Sequence, residues 1–196
     1  RDLAELGQLL GRKRVRVERI VRVACPARGT LLASKRLDAY LSVFKWTLEL
    51  AALPNVKTMG KAQCGDFVLG DATCFAIDFE QPIQHASPGA KFTQKLFLTH
   101  RGCDRPTLVI DNGYSQDYFY DDELSILFQP NTLAIEHRYQ GASIPAPADW
   151  DWTALTIENG AADLHAVVAA FRGHYGGRFV SSGASKGGIT ATYHAY

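Results

Sequence analysis

The feature that most restricts the fold is a series of short apolar runs that alternate with a helical pattern in the second half of the chain. Residues 107–110 and 133–135 are continuous apolar runs, typical of strands buried on both faces of a parallel sheet. Residues 161–175 have apolar side chains at helical spacing, and residues 178–181 form a last short strand. Strands that alternate with helices predict a parallel sheet joined by right-handed crossovers.

Two further elements are predicted before this alternation. Residues 37–53 have apolar side chains at helical spacing and are followed by Pro54, which predicts a helix. Phe75, Ile77 and Phe79 alternate with small or charged residues, and a Ser-Pro-Gly turn at 87–89 separates this run from a second one over residues 92–100. The alternation and the turn predict a β-hairpin.

Length, charge and composition limit the classes of protein. A chain of 196 residues is long enough for one domain with a full core. A net charge of +1 provides no field to hold nucleic acid or an anionic membrane, so neither is expected as a partner. The basic segment 12–22 is interpreted as a solvated face or a terminal extension, because it lacks the aromatic residues that stack on single strands. No apolar stretch is long enough for a membrane span, and no signal-peptide pattern follows Arg1.

The four cysteines indicate no metal site. Cys25, Cys64, Cys74 and Cys103 show no CxxC spacing and have no histidines at the intervals of zinc ligands, so no metal is expected. The even count allows disulfides, and Cys64 with Cys74 would close a short loop. Buried free thiols fit the sequence equally well.

The strongest chemical signal is the run Gly183-Ala184-Ser185-Lys186-Gly187. It matches the G-x-S-x-G turn between a strand and a helix, in which the serine is a strained and exposed nucleophile. The run follows the last predicted strand, about the fifth of the series, and precedes a helical pattern, as this motif requires. We therefore predict that Ser185 is a catalytic nucleophile rather than part of a structural turn.

A second candidate element follows the apolar run at 107–110. Asn112, Gly113 and Tyr114 occupy the position from which hydrolases of this type supply one backbone N–H of the oxyanion hole. The N–H of Lys186 would supply the other. The alternative is an ordinary Asn-Gly turn.

None of the histidines near these motifs is predicted to be the general base. His137 follows a strand, His165 lies in a predicted helix, and His194 follows Ser185 with no acidic residue between them. Since the order in this motif is serine, then acid, then histidine, His194 is excluded as the base. His137 and His165 are interpreted as structural hydrogen-bonding groups.

Short motifs in a fixed order give a resemblance to a known family. From residue 48 to 196, the chain resembles the secreted bacterial tripeptidyl and prolyl aminopeptidases, which are serine peptidases distantly similar to prolyl carboxypeptidases. The motifs are Phe79-Glu80-Gln81-Pro82, Phe92-Thr93-Gln94, Glu136-His137-Arg138-Tyr139, Ser143-x-Pro145, Asp149-Trp150, Leu155-Thr156-Ile157, Asp163-x-His165 and Gly183-Ala184-Ser185-Lys186-Gly187-Gly188.

The resemblance implies an α/β-hydrolase fold and release of short peptides, typically tripeptides, from the free N-terminus of a substrate. It implies a secreted or extracytoplasmic enzyme without a cofactor, with Ser185 as nucleophile. Asn112 is a candidate for binding the substrate ammonium group. An esterase or lipase of the same fold, or a non-catalytic fragment or interaction module, is the alternative.

The same resemblance divides the chain into two parts. Residues 1–44 are an unassigned extension, and residues 45–196 are the N-terminal part of the catalytic domain, with about five of the eight strands that the family fold implies. The acid and the histidine of the triad, together with a cap domain, are expected beyond Tyr196. The 196-residue chain by itself is therefore expected to be inactive and to expose apolar surface.

Overall fold

The computed structural model describes residue 45, residues 47–87 and residues 89–195. The basic segment 12–22 and the first part of the helix predicted over 37–53 lie outside these residues. Of that helix, residues 45 and 47–51 are helical. The strands and helices that follow are β1 (Val56–Ala62), β2 (Thr73–Pro82), β3 (Lys91–His100), β4 (Thr107–Asp111), α1 (Glu123–Phe128), β5 (Asn131–Ile135), α2 (Ile157–Phe171), β6 (Phe179–Gly183) and α3 (Ser185–His194).

The described strands form one mixed sheet in the order β1-β2-β3-β5-β4-β6. The predicted parallel pairing is confirmed for the strands at 107–110, 133–135 and 178–181, since β4 pairs in parallel with both β5 and β6. The predicted hairpin is also present, since β2 and β3 pair antiparallel along their whole length, with Thr73 opposite His100 and Pro82 opposite Lys91. β1 with β2, and β3 with β5, pair antiparallel.

The central strands β4 and β5 are buried on both faces of the sheet. All five residues of β4 and all five of β5 are buried. The apolar stripe of α2 covers one face, with Leu164, Val167 and Phe171 in the same core cluster as Val109 and Leu133. Burial of each such side chain contributes about 1.5–3 kcal/mol to the free energy of folding.

A buried ion pair attaches α2 to the segment after β5. Arg138 donates to both carboxylate oxygens of Asp163, at 2.7 and 2.8 Å, and neither side chain is more than 1% exposed. The remaining guanidinium donors bind the carbonyl oxygens of Pro82, Ile83 and Ala154. This full set of partners offsets the cost of removing the two charges from water.

Three elements differ from the sequence prediction. α2 begins at Ile157, four residues before the predicted stripe, because the Thr156 hydroxyl caps it by accepting from the Asn159 N–H. β1 and α1 were not predicted; β1 lacks apolar alternation, and α1 is only 6 residues long. With β1 included, the serine motif follows the sixth described strand rather than about the fifth.

The structure contains a disulfide between Cys64 and Cys74. It joins the loop after β1 to the start of β2. Of the two alternatives that the sequence left open for these residues, the structure has the cross-link.

Candidate active site

Ser185 lies at the sharp corner between β6 and α3. Its φ is +52°, a left-handed conformation that is unusual for a residue with a side chain. The strand ends at Gly183, the helix begins at Ser185, and the serine is exposed. A strained, exposed serine at a strand–helix corner is the arrangement that the motif predicts.

Two glycines of the corner lie directly against the end of β4. A Cβ atom on either Gly183 or Gly187 would collide with the backbone carbonyl oxygen of Asp111. One on Gly187 would also lie 2.7 Å from the Gly113 nitrogen. Glycine is therefore required at both positions, because backbone atoms cannot move aside as the end of a side chain can.

The loop after β4 approaches the same corner. Gly113 has a φ of +76°, and a Cβ atom there would lie 2.6 Å from the Gly187 nitrogen and 2.8 Å from the Lys186 Cβ. The ammonium group of Lys186 lies 5.3 Å from the centre of the Tyr114 ring, within the range of a cation–π contact. The structure thus brings Gly113, Tyr114 and Lys186 together beside Ser185.

The backbone amides at this corner differ in their partners. The Gly113 N–H donates to Asp111 Oδ1 at 2.6 Å. The Tyr114 N–H has no acceptor among the residues that the structure describes. Ala184 caps α3 without a side-chain hydrogen bond, and the first amides of a helix have no partner within it. The Tyr114 and Lys186 amides are therefore among the backbone donors at this corner that have no acceptor within the described residues.

A buried contact behind the loop was not predicted from the sequence. Asp111 Oδ2 lies 2.8 Å from His137 Nδ1, and the backbone N–H of His137 donates to the Tyr114 carbonyl at 3.2 Å. Next to it, Glu136 Oε1 accepts from the Gln116 N–H at 3.0 Å. The prediction that His137 is a structural hydrogen-bonding group is consistent with these contacts.

Asn112 lies beside this loop and is partly buried. Its amide Nδ2 donates to the Tyr120 hydroxyl at 2.5 Å and lies 3.4 Å from Gln116 Oε1. Burial raises the pKa of Tyr120, while the hydrogen bond from Asn112 lowers it; the net direction is upward. These contacts leave the Asn112 carbonyl oxygen as the atom that could accept from a substrate.

The other two histidines discussed above contact each other at the C-terminal end of α3, away from Ser185 at its start. The rings of His165 and His194 are 5.9 Å apart, and His194 Nδ1 lies 2.8 Å from the Ser181 hydroxyl. Burial, with a smaller contribution from His165, lowers the pKa of His194. Within the described residues, no group of three or more His, Cys, Asp or Glu side chains is arranged to hold a metal ion.

A mixed sheet covered by helices, in which one strand turns into a helix at a strained serine between glycines, defines an α/β-hydrolase. The chain belongs to the PS-10 peptidase S37 family, whose family model matches residues 62–196. The family resemblance inferred from the short motifs is thereby confirmed.

A curated relative gives a second comparison. The chain is 36% identical over 119 residues to a prolyl tri/tetrapeptidyl aminopeptidase of Streptomyces mobaraensis, and the match covers 60% of this chain. The match spans 24% of the relative's length, about a quarter.

Two of the solved structures that are similar to the chain are acetyl xylan esterases. An acetyl xylan esterase from Paenibacillus sp. R4 is 20% identical with a TM-score of 0.49, over 79% of this chain and 54% of that chain. Acetyl xylan esterase 1 from Thermoanaerobacterium sp. JW/SL YS485 is 18% identical with a TM-score of 0.44, over 78% of this chain and 53% of that chain.

In the part of the chain that the structure describes, no helix is both long and apolar enough to cross a membrane.

Proposed function

We propose that Ser185 is the nucleophile of a serine-type aminopeptidase that releases short peptides, most often tripeptides, from the N-termini of its substrates. The observation that carries the proposal is the left-handed conformation of Ser185 at the corner of β6 and α3. The loop after β4 that contains Gly113 and Tyr114, called the Tyr114 loop below, packs against Lys186 at this corner. Membership of a peptidase family and the name of the Streptomyces relative support the substrate class.

In this proposal the Lys186 and Tyr114 amides hold the oxyanion of the tetrahedral intermediate. Both lack a competing acceptor among the described residues, whereas the Gly113 amide is engaged by Asp111. Gly113 contributes the turn that allows the loop to approach α3 closely. Each aligned donor stabilises the transition state by about 3 kcal/mol.

The reaction proceeds through an acyl-enzyme. A histidine base takes the Ser185 proton as the oxygen attacks the peptide carbonyl, the amine leaves with a proton from that histidine, and water then releases the peptide. No described histidine is assigned as the base, because in this fold the base follows both the nucleophile and the acid in the chain, and no acidic residue lies between Ser185 and His194. No cofactor takes part in the proposed reaction.

Substitution of Ser185 by alanine in the complete gene product tests the nucleophile. We expect Ser185→Ala to lower kcat by about 10⁶-fold and to abolish labelling by a fluorophosphonate. The matched control is Ser182→Ala, which removes a hydroxyl from β6 three residues earlier and is expected to retain both properties. Activity in Ser185→Ala would refute the proposed role.

Blocking the substrate's amino group tests the aminopeptidase class. A tripeptide anilide with a free N-terminus should be cleaved at least about 10²-fold faster than its N-acetyl form, because a site built to pair an ammonium group loses that pairing. The Asn112 carbonyl oxygen is the proposed contributor, so Asn112→Leu should reduce this ratio. Equal rates on the two peptides, or faster hydrolysis of acyl esters, would favour an esterase.

We also propose that the protein acts outside the cytoplasm. The Cys64–Cys74 disulfide supports this, because disulfides persist in oxidising compartments. Protein collected from the native host should therefore be in the extracytoplasmic fraction with these two cysteines resistant to alkylation. Recovery from the cytoplasm with both thiols alkylated would contradict the proposal.

A further inference from the structure

The segment after β5 attaches the Tyr114 loop at several points. Asp111 is the last residue of β4, and His137 follows the end of β5 at Ile135. The two residues lie close together because Asp111 pairs with Ile135 in the parallel register of β4 and β5. Asp111 uses one carboxylate oxygen for the Gly113 amide and the other for His137 Nδ1. His137 in turn holds the Tyr114 carbonyl through its backbone N–H.

These contacts fix the peptide groups on both sides of the Gly113–Tyr114 bond. Gly113 is in a left-handed conformation that a free glycine leaves readily, so the loop needs anchors to hold one orientation. Asp111 and His137 are 1% and 3% exposed, so water does not compete for their hydrogen bonds. A hydrogen bond to a charged group in such a site is stronger than one between neutral groups.

We propose that Asp111 and His137 are a positioning pair that aims the Tyr114 amide at the substrate oxyanion. The inference rests on the proposed function and extends it to residues that do not touch the substrate. Asp111 fixes the Gly113 peptide through its side chain, and His137 fixes Asp111 and the Tyr114 carbonyl. Misplacement of a catalytic group by about 1 Å can lower a rate 10²-fold, so the pair controls kcat.

The central test compares two substitutions of His137 in the complete gene product. His137→Leu removes the ring nitrogen, and we expect kcat to fall about 10²-fold while KM changes less than about threefold. His137→Asn can place its Nδ2 where Nδ1 lies in histidine, and we expect it to keep kcat within about tenfold of the wild type. Wild-type kcat in His137→Leu would overturn the inference.

A peptide aldehyde separates positioning from a merely structural role. Ser185 Oγ adds to the aldehyde carbon, its proton passes to the base, and the carbonyl oxygen becomes the oxyanion in the hole. We expect His137→Leu to weaken aldehyde binding in proportion to kcat, while binding of the product tripeptide stays within about threefold. Equal weakening of both ligands would mean that His137 only supports the fold.

A second variant tests the same pair without removing any of its hydrogen-bonding groups. A Cβ atom on Gly160 of α2 would lie 3.3 Å from His137 Cε1 and 3.2 Å from Thr190 Cγ2, so the ring must shift by a few tenths of an ångström. We expect Gly160→Ala to give a smaller loss of kcat, about tenfold, again with KM preserved. Wild-type kcat in a folded Gly160→Ala variant would contradict the inference that the exact position of the His137 ring controls kcat.

Labelling of Ser185 and the activity of the variants distinguish an error in the nucleophile assignment from an error in the positioning role. If Ser185→Ala is active and the wild type is not labelled at Ser185, the nucleophile assignment is wrong. If Ser185 is labelled and required, but the His137 variants keep the kcat and aldehyde affinity of the wild type, only the positioning role is wrong.

Discussion

Gly187 is the residue at which the chemistry of the corner is most sensitive to one added methyl group. Its Cα lies against the Asp111 carbonyl and near the Gly113 amide, and both are backbone atoms held in the sheet or in the loop. Relief of this contact requires movement of β4 or α3. Either movement would disturb the close contact of the Gly113 backbone with Lys186 and Gly187.

Gly187→Ala is therefore expected to lower the free energy of unfolding by about 3 kcal/mol and to abolish activity. The matched control is Gly173→Ala, because a Cβ atom there meets nothing within 4 Å. Urea unfolding of the two variants, followed by circular dichroism, measures the difference. A Gly187→Ala variant as stable and as active as Gly173→Ala would show that the close packing of the corner is unnecessary.

The corner between β6 and α3 could be predicted from the sequence because the residues that specify it are close together in the chain. Glycines, a serine and the change from strand to helix lie within a few residues, so the strand–helix corner at Ser185 could be predicted without knowledge of the rest of the fold. The contact between Asp111 and His137 joins residues 26 positions apart and depends on the parallel register of β4 and β5. The signal available in the sequence was that each residue follows an apolar run predicted to be a strand of one parallel sheet, where ligand sites form at the carboxyl ends of the strands.

At the scale of elements, the buried Arg138–Asp163 pair joins α2 to the segment that follows β5. Asp163→Ala would leave a buried guanidinium without its carboxylate, at a cost of about 3–5 kcal/mol in the free energy of unfolding. The exposed Lys45–Glu49 pair provides the control, since Glu49→Gln is expected to change that free energy by less than about 0.5 kcal/mol. Chemical denaturation distinguishes these values, and equal effects of the two substitutions would contradict a special role for the buried pair.

The elements that sequence patterns failed to predict are those set by their neighbours. β1 has Val56 and Met59 three residues apart, a spacing that does not match the alternation of a strand, and it is a strand because it pairs with β2. The start of α2 lies before the apolar stripe because the Thr156 hydroxyl caps the helix there, and a stripe of apolar side chains does not show where the cap is. For β1, pairing with a neighbouring strand outweighs local preference.

At the scale of the whole molecule, three partly buried histidines oppose folding in acid. Burial, followed by the nearby His174, lowers the pKa of His100 to about 4. Burial also lowers the pKa values of His174 and His194. Each of these groups binds its proton more readily in the unfolded chain, where a histidine titrates near 6.5. The folded state is therefore favoured above pH 6.5 and loses this stability as the pH falls towards 4.

The free energy of unfolding should be compared at pH 7 and pH 5. This comparison isolates the effect of the histidines, because the stability contributed by carboxylates with lowered pKa values, such as Asp78, is lost only below about pH 4. The complete gene product should be less stable at pH 5, and His100 should account for about 1 kcal/mol after allowance for its partial exposure. His100→Asn keeps a polar atom near the Tyr175 hydroxyl, which lies 3.1 Å from His100 Nδ1, but does not titrate. The variant should therefore show a smaller loss of stability between the two pH values in urea unfolding. An identical loss in the variant and the wild type would show that His100 does not contribute to the acid sensitivity of the fold.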